Sequence, residues 1–143
     1  MNNPIRILLV DDNSHFLAAA RDFLELQESF RVIGAIMNGG EAVSQSNRLE
    51  PDVILLDLNL AGESGLDLIP LFKRHMPKTK IIVLTILQDE NYRAAAMQAG
   101  ADAFVHKSEI SKTLISVIVG LAKTPATAWS SQPDGTISTR LTA

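Results

Sequence analysis

The run Val53-Ile54-Leu55-Leu56-Asp57-Leu58-Asn59-Leu60-Ala61-Gly62-Glu63-Ser64-Gly65 decides the fold. Its first four residues are aliphatic and half of them are β-branched. That run is too short for a buried helix and suits a strand covered on both faces. A carboxylate follows at once, and Leu58 with the turn residues Gly62 and Gly65 leaves no helix for Asp57 to cap. An aspartate at the end of so apolar a strand is costly unless it is paired or meets a cation. Asp57 therefore reads as a functional group.

Outward from this run the same pattern recurs. Short apolar runs stand at Ile5–Val10, 30–37, 80–84 and Ala103–His106. Between them Phe16, Leu17, Ala20, Phe23 and Leu24 share one helical face, and 40–49 and 89–98 also read as helical. Strands alternating with helices predict an α/β fold: five parallel strands with five helices on both faces of the sheet. Pro70 conflicts with a helix through 66–72 unless that helix begins near Asp67, which would put the proline in its first turn. In the last helix Ile110, Leu114, Val117, Ile118 and Leu121 form a stripe, with Ile115, Val119 and Ala122 beside it. The resulting arc is roughly 200°, against the roughly 100° a surface helix needs. This predicts either unusually deep burial or a self-association or partner surface.

The chain has 143 residues, 46% hydrophobic and 20% charged, which fits one globular domain and excludes disorder over most of its length. We expect the domain at residues 1–122 and a flexible tail or linker stub at 123–143, where Ser, Thr, Pro and Gly crowd around a lone Trp129. A net charge of −3 argues against nucleic-acid or membrane binding through this chain. The lack of cysteine excludes disulfides, thiolate catalysis and sulfur-ligated zinc. No secretory leader pattern is present and no apolar run nears the roughly 20 residues of a membrane span, so a cytoplasmic location is expected.

In an open parallel sheet ligands bind beyond the carboxyl ends of the strands. Those ends carry Asp11-Asp12, Asp57, Thr85 and Lys107. Asp12 could cap the following helix, but Asn13 or Ser14 can do the same, and two adjacent carboxylates beside a third repel one another unless a cation lies between them. Oxygen-only donors suit Mg2+, which keeps several waters and pairs with phosphate oxygens. Lys107 adds a mobile point charge and Thr85 a hydroxyl. A cation, a carboxylate nucleophile, a hydroxyl and an ammonium make a phosphoryl-transfer site.

The stretches ILLVDD, VILLDLNLAGESGLD, IIVLT and GADAFVHK, with 45 residues from Asp12 to Asp57, 28 to Thr85 and 22 more to Lys107, resemble a receiver domain of the bacterial two-component response regulators. The likeness spans about Ile5 to Leu121, and His-Lys-Ser at 106–108 is similar to the variant in nitrate-responsive helix-turn-helix regulators. The resemblance implies a flavodoxin-like sheet of order 2-1-3-4-5. It implies that Asp57 is the phosphoacceptor, served by a histidine kinase or phosphotransfer protein. Asp12 and Asp57 would ligate Mg2+ directly, Asp11 through water and Asn59 through its backbone carbonyl. Thr85 would bind a phosphoryl oxygen, Lys107 would neutralise charge, and Phe104 would be the aromatic switch. The output would be a partner or homodimer surface on helix four, strand five and helix five.

Departures from the family pattern stand at Ala61 and Ser108, where proline is common, and at Phe104, which lacks a tyrosine hydroxyl. Ile86 replaces a small residue and is expected to crowd the phosphoryl group. His106 reads as a half-exposed strand residue. The expected function is a phosphorylation-controlled signalling module and not an enzyme, beyond assisting its own phosphotransfer and slow dephosphorylation. The alternatives are a receiver-like scaffold that is never phosphorylated, or the input half of a DNA-binding transcription factor whose output domain is absent here. An aspartyl-phosphate phosphatase would need an acid where Asn59 stands.

Overall fold

The computed structural model describes residues 3–60, 62–87 and 89–123. Ala61 lies outside them, as does the expected tail apart from Lys123, the last residue of the final helix. Five strands form one parallel sheet: β1 (Ile5–Val10), β2 (Phe30–Ile36), β3 (Val53–Asp57), β4 (Lys80–Thr85) and β5 (Ala103–His106). Their spatial order is β2-β1-β3-β4-β5, the flavodoxin-like order implied by the resemblance.

Side chains alternate across the pleat and fill two cores. Leu8, Val10, Ile54, Leu56, Ile81 and Val83 face α2 (Gly39–Leu49), α3 (Gly65–His75) and α4 (Glu90–Ala99), meeting Ala42, Ile69, Phe72 and Ala96. Ile7, Leu9, Val53, Leu55, Ile82 and Leu84 face α1 (Ser14–Glu25) and the C-terminal helical segment, meeting Leu17, Leu24, Leu114 and Ile118. Every residue of β3 and β4 is buried, as unbroken apolar runs demand of central strands. β1 and β2 slip register after Ile7, which leaves Ile33 as a bulge.

The start of α3 differs from expectation. The helix begins at Gly65, not near Asp67, so Pro70 stands in its interior. The cause is close packing. Gly65 N–H donates to the Leu58 carbonyl at 2.7 Å. A Cβ at Gly65 would fall on the Asp57 carbonyl oxygen and reach 2.7 Å from Leu58 Cα. Ser64 caps the new end by accepting from Leu66 N–H. The chain must turn into helix where the backbone of residues 57–58 can receive it, and Pro70, exposed on the helix surface, forgoes its bond to the Leu66 carbonyl. Residues 59–60 and 63–64 pair as a small antiparallel ladder in the loop between Asp57 and α3.

The C-terminal segment also departs from a simple wheel. A 3-10 turn at Lys107–Glu109 leads into a π-helical turn at Ile110–Leu114, and α5 (Ile115–Lys123) follows. A π turn holds more residues than 3.6, yet Ile110 still packs half-buried on the same core as the rest of the stripe. Leu114 and Ile118 are fully buried, while Ile115, Val117, Val119 and Leu121 are half-buried against the same core.

The other end of the sheet is fastened by one ion pair. Lys73 Nζ lies 2.7 Å from Asp102 Oδ2 and donates to the Thr79 carbonyl at 2.9 Å. The same Asp102 oxygen accepts from Ile81 N–H at 2.8 Å. Two glycines separate the roles of backbone contact and helix propensity. Gly65→Ala should destabilise by about 1–3 kcal/mol, the cost of overpacking. Gly40→Ala, whose Cβ would meet nothing nearer than 3.9 Å, should be neutral or stabilising by up to about 1 kcal/mol. Urea denaturation of both variants checks the pair.

Candidate functional site

All four strand-end positions arrive at one edge. β1 ends at Val10 and delivers Asp11 and Asp12, β3 ends in Asp57, β4 in Thr85, and β5 leads directly to Lys107. One carboxylate oxygen each from Asp11, Asp12 and Asp57 lie within 4.8 Å of one another. Asn13 is the N-cap of α1, its side chain accepting from Phe16 N–H at 3.0 Å, so neither aspartate is spent on capping.

Lys107 holds the cluster together. Its Nζ is 2.7 Å from Asp11 Oδ2 and 3.6 Å from Asp57 Oδ2. Asp11 is fully engaged, since its other oxygen accepts from Asn13 N–H at 2.9 Å. Asp57 is 8% exposed, and its Oδ1 accepts from Asn59 N–H at 3.2 Å. Burial pushes its carboxyl above the ordinary value, the Asn59 N–H and the Lys107 ammonium pull it back, and Asp11 and Asp12 push it up again. Three oxygen donors with one buried, up-shifted carboxyl are a fitting set for a hard divalent cation.

Thr85 is buried, and its Oγ1 accepts from Leu87 N–H at 3.0 Å. Ile86 is 70% exposed, so its side chain stands in solvent at the rim and is not packed over the carboxylates as expected. Phe104 is half-buried beside α4, with the Arg93 guanidinium 5.6 Å from its ring centroid. It lines a groove of about 540 Å3 together with Leu87, Arg93, His106 and Val117.

Three contributors were not visible in the sequence. Phe16, assigned there to the α1 core face, puts its ring 3.9 Å from Lys107 Nζ and supplies a cation–π support for the ammonium. Glu63 accepts from Gly39 N–H at 2.8 Å, tying the loop after Asp57 to the start of α2. His106 makes three polar contacts, although the sequence suggests only a strand position. Apart from the local contacts of His106 to Ser108, these pairs are distant in sequence, and no spacing rule joins residues 16 and 107, 39 and 63 or 86 and 106.

Known proteins carry the same pattern. Residues 7–119 match the family described as response regulator receiver domain. The nitrate/nitrite response regulator protein NarP of Escherichia coli (strain K12) is 35% identical over 120 residues, covering 84% of this chain and 56% of that protein. A homologous nitrate/nitrite regulator of Haemophilus influenzae is 31% identical, and this chain covers 59% of it. The chain thus spans a little over half the length of these relatives. Among solved structures, the isolated receiver domain of RcsB from Salmonella enterica serovar Typhimurium with the phosphomimetic BeF3− is 26% identical, with a TM-score of 0.78 over 86% of this chain and 91% of that one. A response regulator from Burkholderia pseudomallei, solved with a phosphorylated aspartic acid, calcium ion and citrate, is 27% identical, with a TM-score of 0.70 over 88% of this chain and 71% of that one.

The raised Asp57 carboxyl has a stability consequence. Its proton is held more tightly in the folded than in the unfolded chain, so ionising it near neutral pH costs stability; at low pH both states are protonated and the cost vanishes. With chelator present, Asp57→Asn should melt higher than the parent at pH 7, and the difference should shrink as pH falls toward the ordinary aspartate value of 3.8. Mg2+ should raise the parent's melting point by roughly 10 °C at one hundred times its dissociation constant, equivalent to about 2.7 kcal/mol, and raise the variant's less. Thermal denaturation with and without chelator checks both.

Proposed function

Because this chain belongs to the response regulator receiver family, the module of phosphorylation-controlled two-component signalling, we propose that Asp57 accepts a phosphoryl group from a histidine kinase or phosphotransfer protein. The observation that carries this reading is the meeting of Asp57 with Asp11, Asp12 and Lys107 at the carboxyl edge of the sheet.

The chemistry asks little of the protein beyond position and charge. An Asp57 oxygen attacks phosphorus, the bond to the donor nitrogen breaks, and its electron pair stays on the donor imidazole, which takes up a proton. Mg2+ is the cation we assign; Asp12, Asp57 and the Asn59 carbonyl would hold it, with Asp11 acting through water, and when bound it would neutralise charge on the incoming phosphoryl oxygens. The indirect role suits Asp11, both of whose oxygens already have protein partners. Lys107 lies 3.6 Å from Asp57 and needs only a small shift to meet the phosphoryl group. Receiver domains are signalling modules and not enzymes in the general sense, and assistance by this one to its own phosphotransfer and slow dephosphorylation is part of the proposal.

Switching follows from Thr85. Its hydroxyl leaves Leu87 N–H and donates to the phosphoryl group, and Phe104 packs into the space released. The face of α4, β5 and α5 then changes shape as one population replaces another. We assign to that face a second copy of the chain, on the half-buried apolar side chains of α5 and the groove beside Phe104. Among the described residues no helix is long and apolar enough to cross a membrane. Placement in the cytoplasm, beside the kinase, rests on the family. The second reading, an input half governing DNA binding elsewhere in a longer protein, is favoured by the greater length of the relatives.

Incubation with Mg2+ and acetyl phosphate should add one phosphoryl group to the parent and none to Asp57→Asn, measured by intact mass and abolished by chelation. Failure in conditions where a control receiver reacts would favour the unphosphorylated scaffold. Thr85→Ala should still be phosphorylated yet show no shift in the Phe104 resonances. Val119→Glu should weaken self-association of the phosphorylated form at least tenfold; unchanged sedimentation would remove α5 from the interface.

A further inference from the structure

The imidazole of His106 joins the two loops that carry Thr85 and Lys107. Thr85 and His106 are register partners at the ends of β4 and β5. From there the ring reaches both ways. Nε2 lies 2.9 Å from the Ile86 carbonyl oxygen, in the loop immediately after Thr85. Nδ1 lies 3.1 Å from Ser108 N–H and 2.7 Å from Ser108 Oγ, in the turn immediately after Lys107. The Ser108 N–H can only donate and makes Nδ1 the acceptor, so the ring proton sits on Nε2 and is donated to the Ile86 carbonyl. The ring is a fixed two-sided brace of a kind that an aliphatic side chain cannot form.

The brace bears on the peptide that must move. The Ile86–Leu87 peptide is held twice, its carbonyl by His106 Nε2–H and its N–H by Thr85 Oγ1 at 3.0 Å. If the Thr85 hydroxyl turns to a phosphoryl oxygen it gives up Leu87 N–H, the peptide reorients, and the Ile86 carbonyl leaves the imidazole. Resting on the receiver reading above, we propose that His106 is a positioning residue that latches the loop after Thr85 in its resting geometry, anchored to the Lys107 turn, and is released when Asp57 carries a phosphoryl group. Its hydrogen bond to Ile86 sets how far the unmodified protein leans toward rest. The exposed Ile86 side chain follows the same peptide, so the release reaches the protein's surface.

The test uses the full chain with Mg2+ and beryllofluoride as the phosphoryl mimic, following the His106 ring nitrogens by 15N NMR. Without beryllofluoride the ring's Nε2–H should show the signature of its hydrogen bond to the Ile86 carbonyl. On saturation its Nε2 resonance should move to a position free of the carbonyl, while Asp57→Asn shows no change. His106→Leu should bind beryllofluoride about three- to tenfold more tightly, the scale of one hydrogen bond. His106→Gln, whose amide can donate to Ile86 and accept from Ser108, should return to the parent's value. A parent that binds the mimic while its His106 resonances stay put, or a leucine variant that binds no more tightly, overturns the latch alone. A parent that does not bind the mimic at all overturns the receiver reading and the latch with it. The ring signature is read on the unmutated protein, so the test survives a leucine variant that fails to fold.

Discussion

Three carboxylates converge at the carboxyl edge of the sheet, two of them buried, and the Lys107 ammonium is what lets them stay. Burial alone disfavours a charge at Asp57, and Asp11 and Asp12 add to that cost. The ammonium lies between two of them, backed by the Phe16 ring. Around this contact the neighbouring backbone is placed to tight tolerance. Gly65 presses on the backbone of residues 57–58, Asn59 N–H donates to the Asp57 carboxylate, and Asn13 takes the capping duty that would otherwise draw an aspartate away. A charge cluster compensated in this way is poised: adding phosphate and a cation changes its balance, and the loops around it must answer.

The apolar runs and polar strand ends are local properties of the chain, so five strands, their order by family likeness, and the meeting of Asp11, Asp12, Asp57, Thr85 and Lys107 were legible before any coordinates. What escaped depends on contacts distant in sequence. Pro70 argued for a late α3, but the Gly65 contact with Asp57 and Leu58 set the start, and a local propensity yielded to tertiary packing. The stripe of residues 110–121 meets one core as its spacing suggests, but the 3-10 and π turns that open the segment leave no sign in that spacing. Phe16 looked like one more core residue, since a ring facing an ammonium and a ring facing leucines share the same helical spacing. Bulk made Ile86 look obstructive, whereas direction decides the matter and its side chain points to water.

The switching proposed above asks two loops to change together while the sheet beneath them does not. Thr85 and Lys107 leave adjacent strands, and the register that pairs Thr85 with His106 makes their loops neighbours from the outset. The groove between α4 and α5 opens beside that pair, with Phe104 in its wall. A movement of one peptide can therefore alter a surface without any strand having to slide.

The ion pair at the far end gives this division a mechanical form. Lys73 and Asp102 gather α3, the entry to β4 and the entry to β5 into one knot, with Thr79 and Ile81 drawn in through their backbones. The two strands whose tips carry the moving loops are thus clamped at their roots, like tines set in a common handle. A change of sequence at the tips leaves this handle untouched, so the spacing of the two strands does not depend on what their loops carry.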